Sequence, residues 1–237
     1  MKILITGDKG FLGSYLKKEL LKDFVIYGAD LLANVDIFNE ETEKLIKKVD
    51  YVYHLAAITS VEKSFKNPDQ VFITNVLGTA RVAYLCAKYR KKLIYPSSAA
   101  VYYPELSPYA YSKKLAEDIV RGVMKSTPTV ILRLYNVFGE NMNKDSGSIM
   151  YNFLHDKKIV VYGDGEQTRD YIHVRDVVAI MKDALKKKWN GNIVDVGTGE
   201  SYTANYIAGL FASYRKLDIE YQPPRSRSAA PPSELQS

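Results

Sequence analysis

The stretch that decides the fold is TGDKGFLG, residues 6–13, which overlaps the end of the apolar run KILIT at residues 2–6. Gly7, Gly10 and Gly13 give it a G-x-x-G-x-x-G spacing, and a helical pattern begins within it. Such glycines permit a tight turn, close approach of the backbone to a pyrophosphate and close helix packing, while the helix amides face the anion. The stretch therefore predicts a dinucleotide-phosphate loop.

A carboxylate follows this loop near the spacing expected for a ribose contact. Asp30 ends the second strand pattern, FVIYGAD, 17 residues after Gly13. A carboxylate there accepts hydrogen bonds from ribose hydroxyls. No arginine follows closely to neutralise a 2′-phosphate, which favours NAD over NADP. Asp8 lies inside the loop, where a carboxylate aimed at the pyrophosphate would cost energy, so we expect it to point to solvent.

Short apolar runs alternate with helical patterns along most of the chain. Continuous β-branched and aromatic runs between helices are typical of buried parallel strands, which predicts an α/β fold with a doubly wound parallel sheet of the Rossmann type. After Gly139 the sequence becomes polar and Gly-rich. We expect an NAD-binding domain of residues 1–138 and 171–197, and a small, reduced substrate-binding region of residues 139–170 and 198–237 with an irregular tail.

Composition limits the classes of function. The 237 residues carry a formal net charge of +6, 46% hydrophobic residues and one cysteine. The basic runs KYRKK and KKK are too short, and too poorly interleaved with aromatic residues, to indicate nucleic-acid binding. Cys86 excludes an internal disulfide framework, no His, Cys or acidic cluster has metal-ligand spacing, and no apolar stretch approaches the ~18 residues of a membrane span. We expect a cytoplasmic protein.

The stretch SPYAYSKKLAE, residues 107–117, contains two tyrosines, and helical spacing distinguishes them. Tyr109 has Lys113 four positions later, on the same helix face, whereas Tyr111 has Leu115. The leading serine and proline suit a helix N-cap and first turn. The helix end charge and Lys113 are expected to lower the pKa of the Tyr109 phenol towards a range useful for proton transfer.

Several further motifs occur in the same order as in a known family. TGDKGFLG, VDIFN, HLAAITSVEKSFKNP, YPSSAAVY, SPYAYSK, LRLYNVFG and VVYGDGEQTRDYIHVRD resemble segments of the extended short-chain dehydrogenase/reductase family. Within it, they are most similar to the NAD-dependent epimerase/dehydratase group and to its UDP-glucose (UDP-galactose) 4-epimerases. The resemblance runs from Met1 to about Gly199.

The resemblance implies roles for individual residues. The implied catalytic residues are Ser98, Tyr109 and Lys113, with Tyr109 as the general base, Ser98 orienting the sugar hydroxyl and Lys113 holding the nicotinamide ribose. The implied NAD-binding residues are Gly7, Gly10, Phe11, Leu12, Gly13, Asp30, Asp36, Ile37, Leu55, Ala56, Ala57, Tyr109 and Lys113. The implied residues for a UDP-sugar substrate are Ser98, Asn136, Tyr162, Arg169 and Arg225.

The residues after Ser98 narrow the reaction. Dehydratases of this family carry an acidic pair directly after the catalytic residue, and decarboxylases of UDP-glucuronate usually carry an acid in the same stretch. This chain has Ala99 and Ala100. We therefore expect 4-epimerisation, with UDP-galactose and UDP-glucose interconverted through a 4-keto sugar. The alternatives are a UDP-glucuronate 4-epimerase, another sugar nucleotide oxidoreductase on the same site, or a non-catalytic sensor that binds NAD and a nucleotide sugar.

Two further expectations concern helices and isolated polar residues. The helices with NVLGTARVAYLCAKY and YSKKLAEDIVRGVM carry more apolar surface than one sheet face needs, and the resemblance implies a homodimer through a four-helix bundle. Asn75, His54 and His173 are interpreted as hydrogen-bonded structural residues. The loop between Tyr102 and Ser107 is shorter than in the family, which predicts less cover over the sugar.

Overall fold

The computed structural model describes residues 1–142, 144 and 148–224. Its main sheet has six parallel strands in the order β2-β1-β3-β4-β5-β9. The strands are β1 (Lys2–Thr6), β2 (Val25–Ala29), β3 (Tyr51–His54), β4 (Lys92–Ser98), β5 (Thr129–Leu134) and β9 (Ile193–Val196). The strand order reverses between β1 and β3, and doubly wound sheets bind ligands in the crevice beyond such a point.

Helices cover both faces of this sheet, which confirms the predicted fold class. The described helices are α1 (Phe11–Leu20), α2 (Glu40–Lys48), α3 (Val61–Lys66), α4 (Pro68–Phe72), α5 (Gly78–Lys88), α6 (Pro108–Val123), α7 (Ile149–His155), α8 (Val174–Asp183) and α9 (Ala204–Arg215). Alternate residues of β1 show the two faces. Ile3 and Ile5 pack with residues of α1 and α8, whereas Leu4 packs with residues of α2, α5 and α6.

Shorter strands build the region beyond the main sheet. They are β6 (Asn136–Phe138), β7 (Ile159–Tyr162), β8 (Thr168–His173), β10 (Ser201–Thr203) and β11 (Ile219–Gln222). They form a β10-β8-β6 sheet and a β11-β7 pair. A separate apolar cluster, which includes Phe153, Val161 and Ile207, lies under α7 and α9. The division of the chain into the two predicted domains stays a prediction.

The continuous apolar pattern TVILRLYNV, residues 129–137, is divided between two strands. Residues 129–134 pair with β4 and β9 in the main sheet, whereas residues 136–138 pair with β8. Tyr135 separates the two strands. Both strands contain buried or half-buried apolar side chains, so the hydrophobic pattern continues through them. The pattern alone therefore does not reveal that the two strands pair in different sheets. Among the described residues, no helix combines the length and apolar character that crossing a bilayer requires.

The prediction that Asp8 points to solvent is wrong. Asp8 is buried, and its Oδ2 accepts a hydrogen bond of 2.6 Å from Lys17 Nζ on α1. The carboxylate packs against Gly28 of β2, where an added Cβ would lie 2.2 Å from Oδ2. The ammonium of Lys17 offsets the cost of burying the charge, and the missing side chain at Gly28 leaves room for it. This contact ties the loop to the neighbouring strand.

The packing of Asp8 against Gly28 makes a stability prediction. Gly28→Ala forces the buried carboxylate to move, so it should destabilise the protein by roughly 1–3 kcal/mol. Gly122→Ala is the control, since a Cβ at this exposed position of α6 meets nothing within 4 Å. It should stabilise the protein by about 0.5–1 kcal/mol. Urea unfolding of both variants measures the difference, and a Gly28→Ala protein as stable as the parent would contradict the described packing.

Candidate active site

An open cleft of about 2310 Å³ lies at the carboxyl ends of the main strands. The phosphate loop lines one part of it, the start of α6 another, and β7 and β8 a third. Pockets for one drug-sized ligand measure roughly 300–1,000 Å³, so this cleft has room for a dinucleotide and a second ligand.

The phosphate loop forms the cradle that the sequence predicted. Gly7 has φ +71°, and a Cβ there would meet the Ala56 backbone nitrogen at 2.8 Å. A Cβ on Gly13 would lie 2.1 Å from the Gly7 carbonyl oxygen. Helix α1 begins directly after Gly10, which has no side chain to cover its first amides. The geometry fits a pyrophosphate at a helix N-terminus, as NAD would present it.

Asp30 lies beside this loop, at the carboxyl end of β2. Its Oδ2 accepts from the Lys9 backbone nitrogen at 3.1 Å, and its Oδ1 accepts from the Leu32 backbone nitrogen at 2.9 Å. These bonds hold the carboxylate next to the glycines, as a ribose contact requires. Each carboxylate oxygen of Asp30 can accept a further hydrogen bond besides the one from the backbone.

The other implied cofactor residues divide into two groups. Phe11, Leu12, Leu55 and Ala57 line the cleft. Asp36, Ile37 and Ala56 are not among its lining residues. Ile37 packs into the core against Gly78, and the Ala56 backbone nitrogen donates to Thr6 Oγ1. Their contact with NAD stays a prediction.

The three implied catalytic residues share one wall of the cleft. Ser98 ends β4, and Tyr109 and Lys113 lie on successive turns of α6. The helix begins as the sequence predicted, because Ser107 Oγ accepts from the Ala110 backbone nitrogen at 3.0 Å and a proline follows at the first helical position. This start places Tyr109 in the first turn, facing Ser98.

The pKa of Tyr109 differs from the sequence-based expectation. Burial raises it, and a side-chain hydrogen bond with Ser98 lowers it. Lys113 does not act as the expected partner, because its Nζ donates to the Pro96 carbonyl oxygen at 2.8 Å and lies 4.5 Å from the centre of the Tyr95 ring. The hydrogen bond with Ser98, and not Lys113, is therefore the contact that lowers the pKa of Tyr109 against the larger effect of burial, and the prediction of a Tyr109 pKa lowered by Lys113 is wrong.

Lys113 itself is in an unusual state for a lysine. Its side chain is buried, and this burial lowers its pKa to about 7, while the charge of Glu117 acts in the opposite direction. A lysine in such surroundings exchanges its proton near neutrality. Tyr111, by contrast, is 49% exposed and packs edge-to-face on Phe72 with ring centres 6.3 Å apart.

The implied substrate residues lie across the cleft. Asn136, Tyr162 and Arg169 all line it. Asn136 Nδ2 donates to the Asp170 carbonyl oxygen at 3.0 Å, which leaves its amide oxygen as a potential acceptor. Burial lowers the pKa of Arg169, which belongs to β8. Arg225 lies outside the described residues.

The interpretation of isolated polar residues is confirmed. Asn75 accepts from the Ile58 backbone nitrogen at 2.8 Å and donates to the Ile58 carbonyl oxygen. His54 lies between two threonine hydroxyls, at 2.8 Å and 3.0 Å, and burial lowers its pKa to about 3. His173 caps the start of α8, where its ring nitrogen accepts from the Arg175 backbone nitrogen. These residues organise the walls of the site.

Sequence reasoning missed a polar network behind the catalytic wall. Glu117 on α6 is fully buried and pairs with Arg133 of β5 at 2.6 Å. Arg133 also donates to the Tyr102 hydroxyl at 2.7 Å, and Tyr102 donates to Asp195. Two signals were present in the sequence. Glu117 lies four positions after Lys113, and Arg133 interrupts an apolar strand.

Comparison with known proteins agrees with this geometry. The model of the NAD dependent epimerase/dehydratase family matches residues 3–197. A dTDP-D-glucose 4,6-dehydratase of Dictyostelium discoideum is 31% identical over 252 residues, which cover 83% of this chain and 58% of the relative, so this chain spans less than two thirds of that protein. A putative UDP-glucose 4-epimerase of Methanocaldococcus jannaschii is 30% identical and covers 86% of this chain and 79% of its own.

A solved structure that contains NAD and a nucleotide sugar has a similar fold. The UDP-glucuronic acid 4-epimerase of Bacillus cereus, in complex with UDP-glucuronic acid and NAD, is 27% identical and superimposes with a TM-score of 0.86 over 99% of this chain and 90% of that chain. The family model covers most of the chain and spans the glycine loop as well as Ser98, Tyr109 and Lys113. The protein described here therefore belongs to the NAD dependent epimerase/dehydratase family.

Proposed function

We propose that this protein is a cytoplasmic NAD-dependent nucleotide-sugar 4-epimerase that interconverts UDP-galactose and UDP-glucose through a 4-keto sugar. The observation that carries the proposal is the juxtaposition of Ser98, Tyr109 and Lys113 on one wall of a cleft whose other wall is the phosphate loop. The single, buried Cys86 is consistent with a reducing compartment.

In this mechanism the Tyr109 oxygen takes the proton of the sugar hydroxyl, and Ser98 orients that hydroxyl and stabilises the phenolate. When bound, NAD supplies the acceptor for the sugar's hydride, and its return to the opposite face of the keto sugar inverts the centre. Lys113 would hold the nicotinamide ribose, the phosphate loop the pyrophosphate and Asp30 the adenine-side ribose. Tyr162 and Arg169 would hold the substrate's diphosphate end.

The choice of epimerisation rests on the residues after Ser98. Ala99 and Ala100 begin a short 3-10 turn, residues 99–102, and line the cleft. The methyl groups of Ala99 and Ala100 neither donate nor accept a proton, whereas expulsion of water or carbon dioxide from the sugar needs acid–base groups at that place. Removal and return of hydride at one carbon needs only the three catalytic residues and NAD.

Two other functions are alternatives to this proposal. A UDP-glucuronate 4-epimerase would use the same wall, and the Bacillus cereus enzyme of similar fold is in complex with UDP-glucuronic acid and NAD. A non-catalytic sensor would bind NAD and a nucleotide sugar without turnover. The poised Ser98 and Tyr109 favour an enzyme, since binding alone does not require a proton acceptor held by a hydrogen bond.

Incubation of the protein with UDP-galactose and NAD, with glucose release from the product as the readout, tests the function. Tyr109→Phe should lower kcat by roughly 10²–10⁴ with little change in NAD or UDP-sugar binding, because it removes the proton acceptor. Tyr111→Phe is the matched control and should match the parent, since its ring faces Phe72 and solvent. An inactive Tyr111→Phe beside an active Tyr109→Phe would contradict the assignment.

The hydrogen bond between Ser98 and Tyr109 predicts a pH effect. Ser98→Ala removes the contact that lowers the pKa of Tyr109. Since the base must be deprotonated, the acid limb of the kcat/KM profile should move to higher pH. Ser98→Thr keeps a hydroxyl and should retain the parent's limb. If the acid limb of kcat/KM lay at the same pH in the parent and in both variants, a group other than Tyr109 would control it.

We also propose a homodimer in which α5 and α6 of two copies form a four-helix bundle. Exposed apolar side chains support it: Ile73 and Leu77 lie one turn apart before α5, Tyr84 follows on α5, and Tyr111 lies on the adjacent α6. An exposed apolar face of this extent is typical of an interface. A second copy would cover the same side chains on both partners.

Light scattering at micromolar concentration tests the dimer. The parent should have twice the chain mass, and Leu77→Glu should shift it to the monomer, because two carboxylates would be buried at the interface. Leu21→Glu is the control, since Leu21 is similarly exposed, at 54% against 57% for Leu77, but lies after α1. A monomeric parent would refute the dimer.

A further inference from the structure

A buried carboxylate lies directly behind the catalytic wall. Glu117 is 0% exposed and follows Lys113 by one turn of α6. It accepts from Ser97 Oγ at 2.8 Å, from Arg133 Nη2 at 2.6 Å and from Arg133 Nε at 3.2 Å. Ser97 lies between Pro96, whose carbonyl oxygen binds Lys113, and Ser98. One carboxylate thus touches the strand end that serves both catalytic residues.

Arg133 extends this contact to the far end of the same segment. Its Nη1 donates to the Tyr102 hydroxyl at 2.7 Å, and its guanidinium carbon lies 4.8 Å from the centre of the Tyr102 ring. Tyr102 in turn donates to the Asp195 carboxylate at 2.8 Å. The pair of Glu117 and Arg133 therefore holds residues 97–102 at both ends, with Ser98 between the two anchors.

Stability alone does not explain such a pair. Burying two charges costs several kcal/mol per ion, and well-packed apolar side chains of similar volume often replace a buried pair without loss of stability. Within the described part of the chain, the hydrogen bonds of Glu117 and Arg133 do not reach the phosphate loop or β7. Beyond their own ion pair, Glu117 binds Ser97 and Arg133 binds Tyr102, both in the Ser98 segment, which indicates a role in its placement.

We propose that the Glu117–Arg133 pair is a positioning device that fixes the Ser98 segment relative to Lys113 and sets a carboxylate one helical turn from Lys113. The proposal rests on the proposed function, because it assumes that Ser98 and Lys113 act in epimerisation. Glu117 and Arg133 touch neither substrate nor NAD in this scheme. They act through Ser97, Tyr102 and the charge of Glu117.

The electrostatic part follows from the groups that face Lys113. These are Tyr109 and Glu117 on its own helix, Tyr95 of β4 and His54 of β3. Among these four described groups, only Glu117 is a carboxylic acid; burial raises the pKa of both tyrosines and lowers that of His54. Glu117 raises the pKa of Lys113 against the effect of burial. Without it, Lys113 would lose its proton at lower pH.

Glu117→Gln tests this charge while keeping the side chain's shape. We expect kcat to fall roughly 10- to 100-fold, as for a slightly misplaced catalytic group, with KM for the UDP-sugar little changed. Because Lys113 must be protonated, the alkaline limb of the kcat profile should move to lower pH. Glu43→Gln is the control: it neutralises another paired carboxylate, on α2, and should leave both quantities at the parent's values.

A double variant separates positioning from folding. Glu117→Leu with Arg133→Met replaces the pair by apolar side chains, so neither buried charge is left alone. We expect this protein to melt within a few degrees of the parent and still to lose at least about 10-fold in kcat. The alkaline limb of the double variant should move less than that of Glu117→Gln. In Glu117→Gln the unpaired positive charge of Arg133 lowers the pKa of Lys113 further, in addition to the loss of the carboxylate. Parent kcat and parent profile in the folded double variant would overturn the proposal.

A measurement without turnover keeps the two proposals distinguishable. The titration of Lys113 is followed by NMR in lysine-labelled protein, with Lys113→Arg to assign its signal. A lower Lys113 pKa in Glu117→Gln supports the proposal, and an unchanged one overturns its electrostatic part. A parent that converts no nucleotide sugar would refute the proposed function, while this titration would still report whether Glu117 controls the charge of Lys113.

Discussion

The contact between Gly13 and the Gly7 carbonyl oxygen is the constraint on which the rest of the structure depends. Any Cβ at Gly13 would lie 2.1 Å from that oxygen, so only glycine lets α1 begin directly against the end of β1. This start turns the first amides of α1 to the cleft and places Leu16 and Leu20 in the core beside Ile3 and Ile5. One backbone approach thus supplies both helix amides that fit an anion and the packing that holds them in place.

The opposite wall is organised by buried polar groups. Two charged groups there have defined partners: Lys113 has the Pro96 carbonyl oxygen, and Glu117 has Arg133. In a medium of low dielectric constant such contacts are strong, and they move pKa values by burial as much as by pairing. The lowered pKa of Lys113 and the raised pKa of Tyr109 are consequences of this environment.

The region beyond the main sheet forms part of the wall of the cleft. Its strands β7 and β8 and its helices α7 and α9 enclose their own apolar cluster, and Tyr162 and Arg169 face the cleft from it. The chain spans 58% of the Dictyostelium discoideum relative and 79% of the Methanocaldococcus jannaschii relative. Ala99 and Ala100 line the same cleft, which is why their side chains bear on the proposed reaction.

The sequence by itself determined the fold class, the family, the phosphate loop and the start of α6, because periodicity, glycine spacing and helix capping are local signals. It also distinguished Tyr109 from Tyr111 as the residue at the cleft. Only the tertiary structure decided which partner each charged side chain has. Asp8 is buried and pairs with Lys17, and Lys113 binds a backbone carbonyl oxygen instead of acting on Tyr109. Arg133 of β5 pairs with Glu117 of α6. These outcomes depend on burial and on partners distant in sequence, which no local pattern contains.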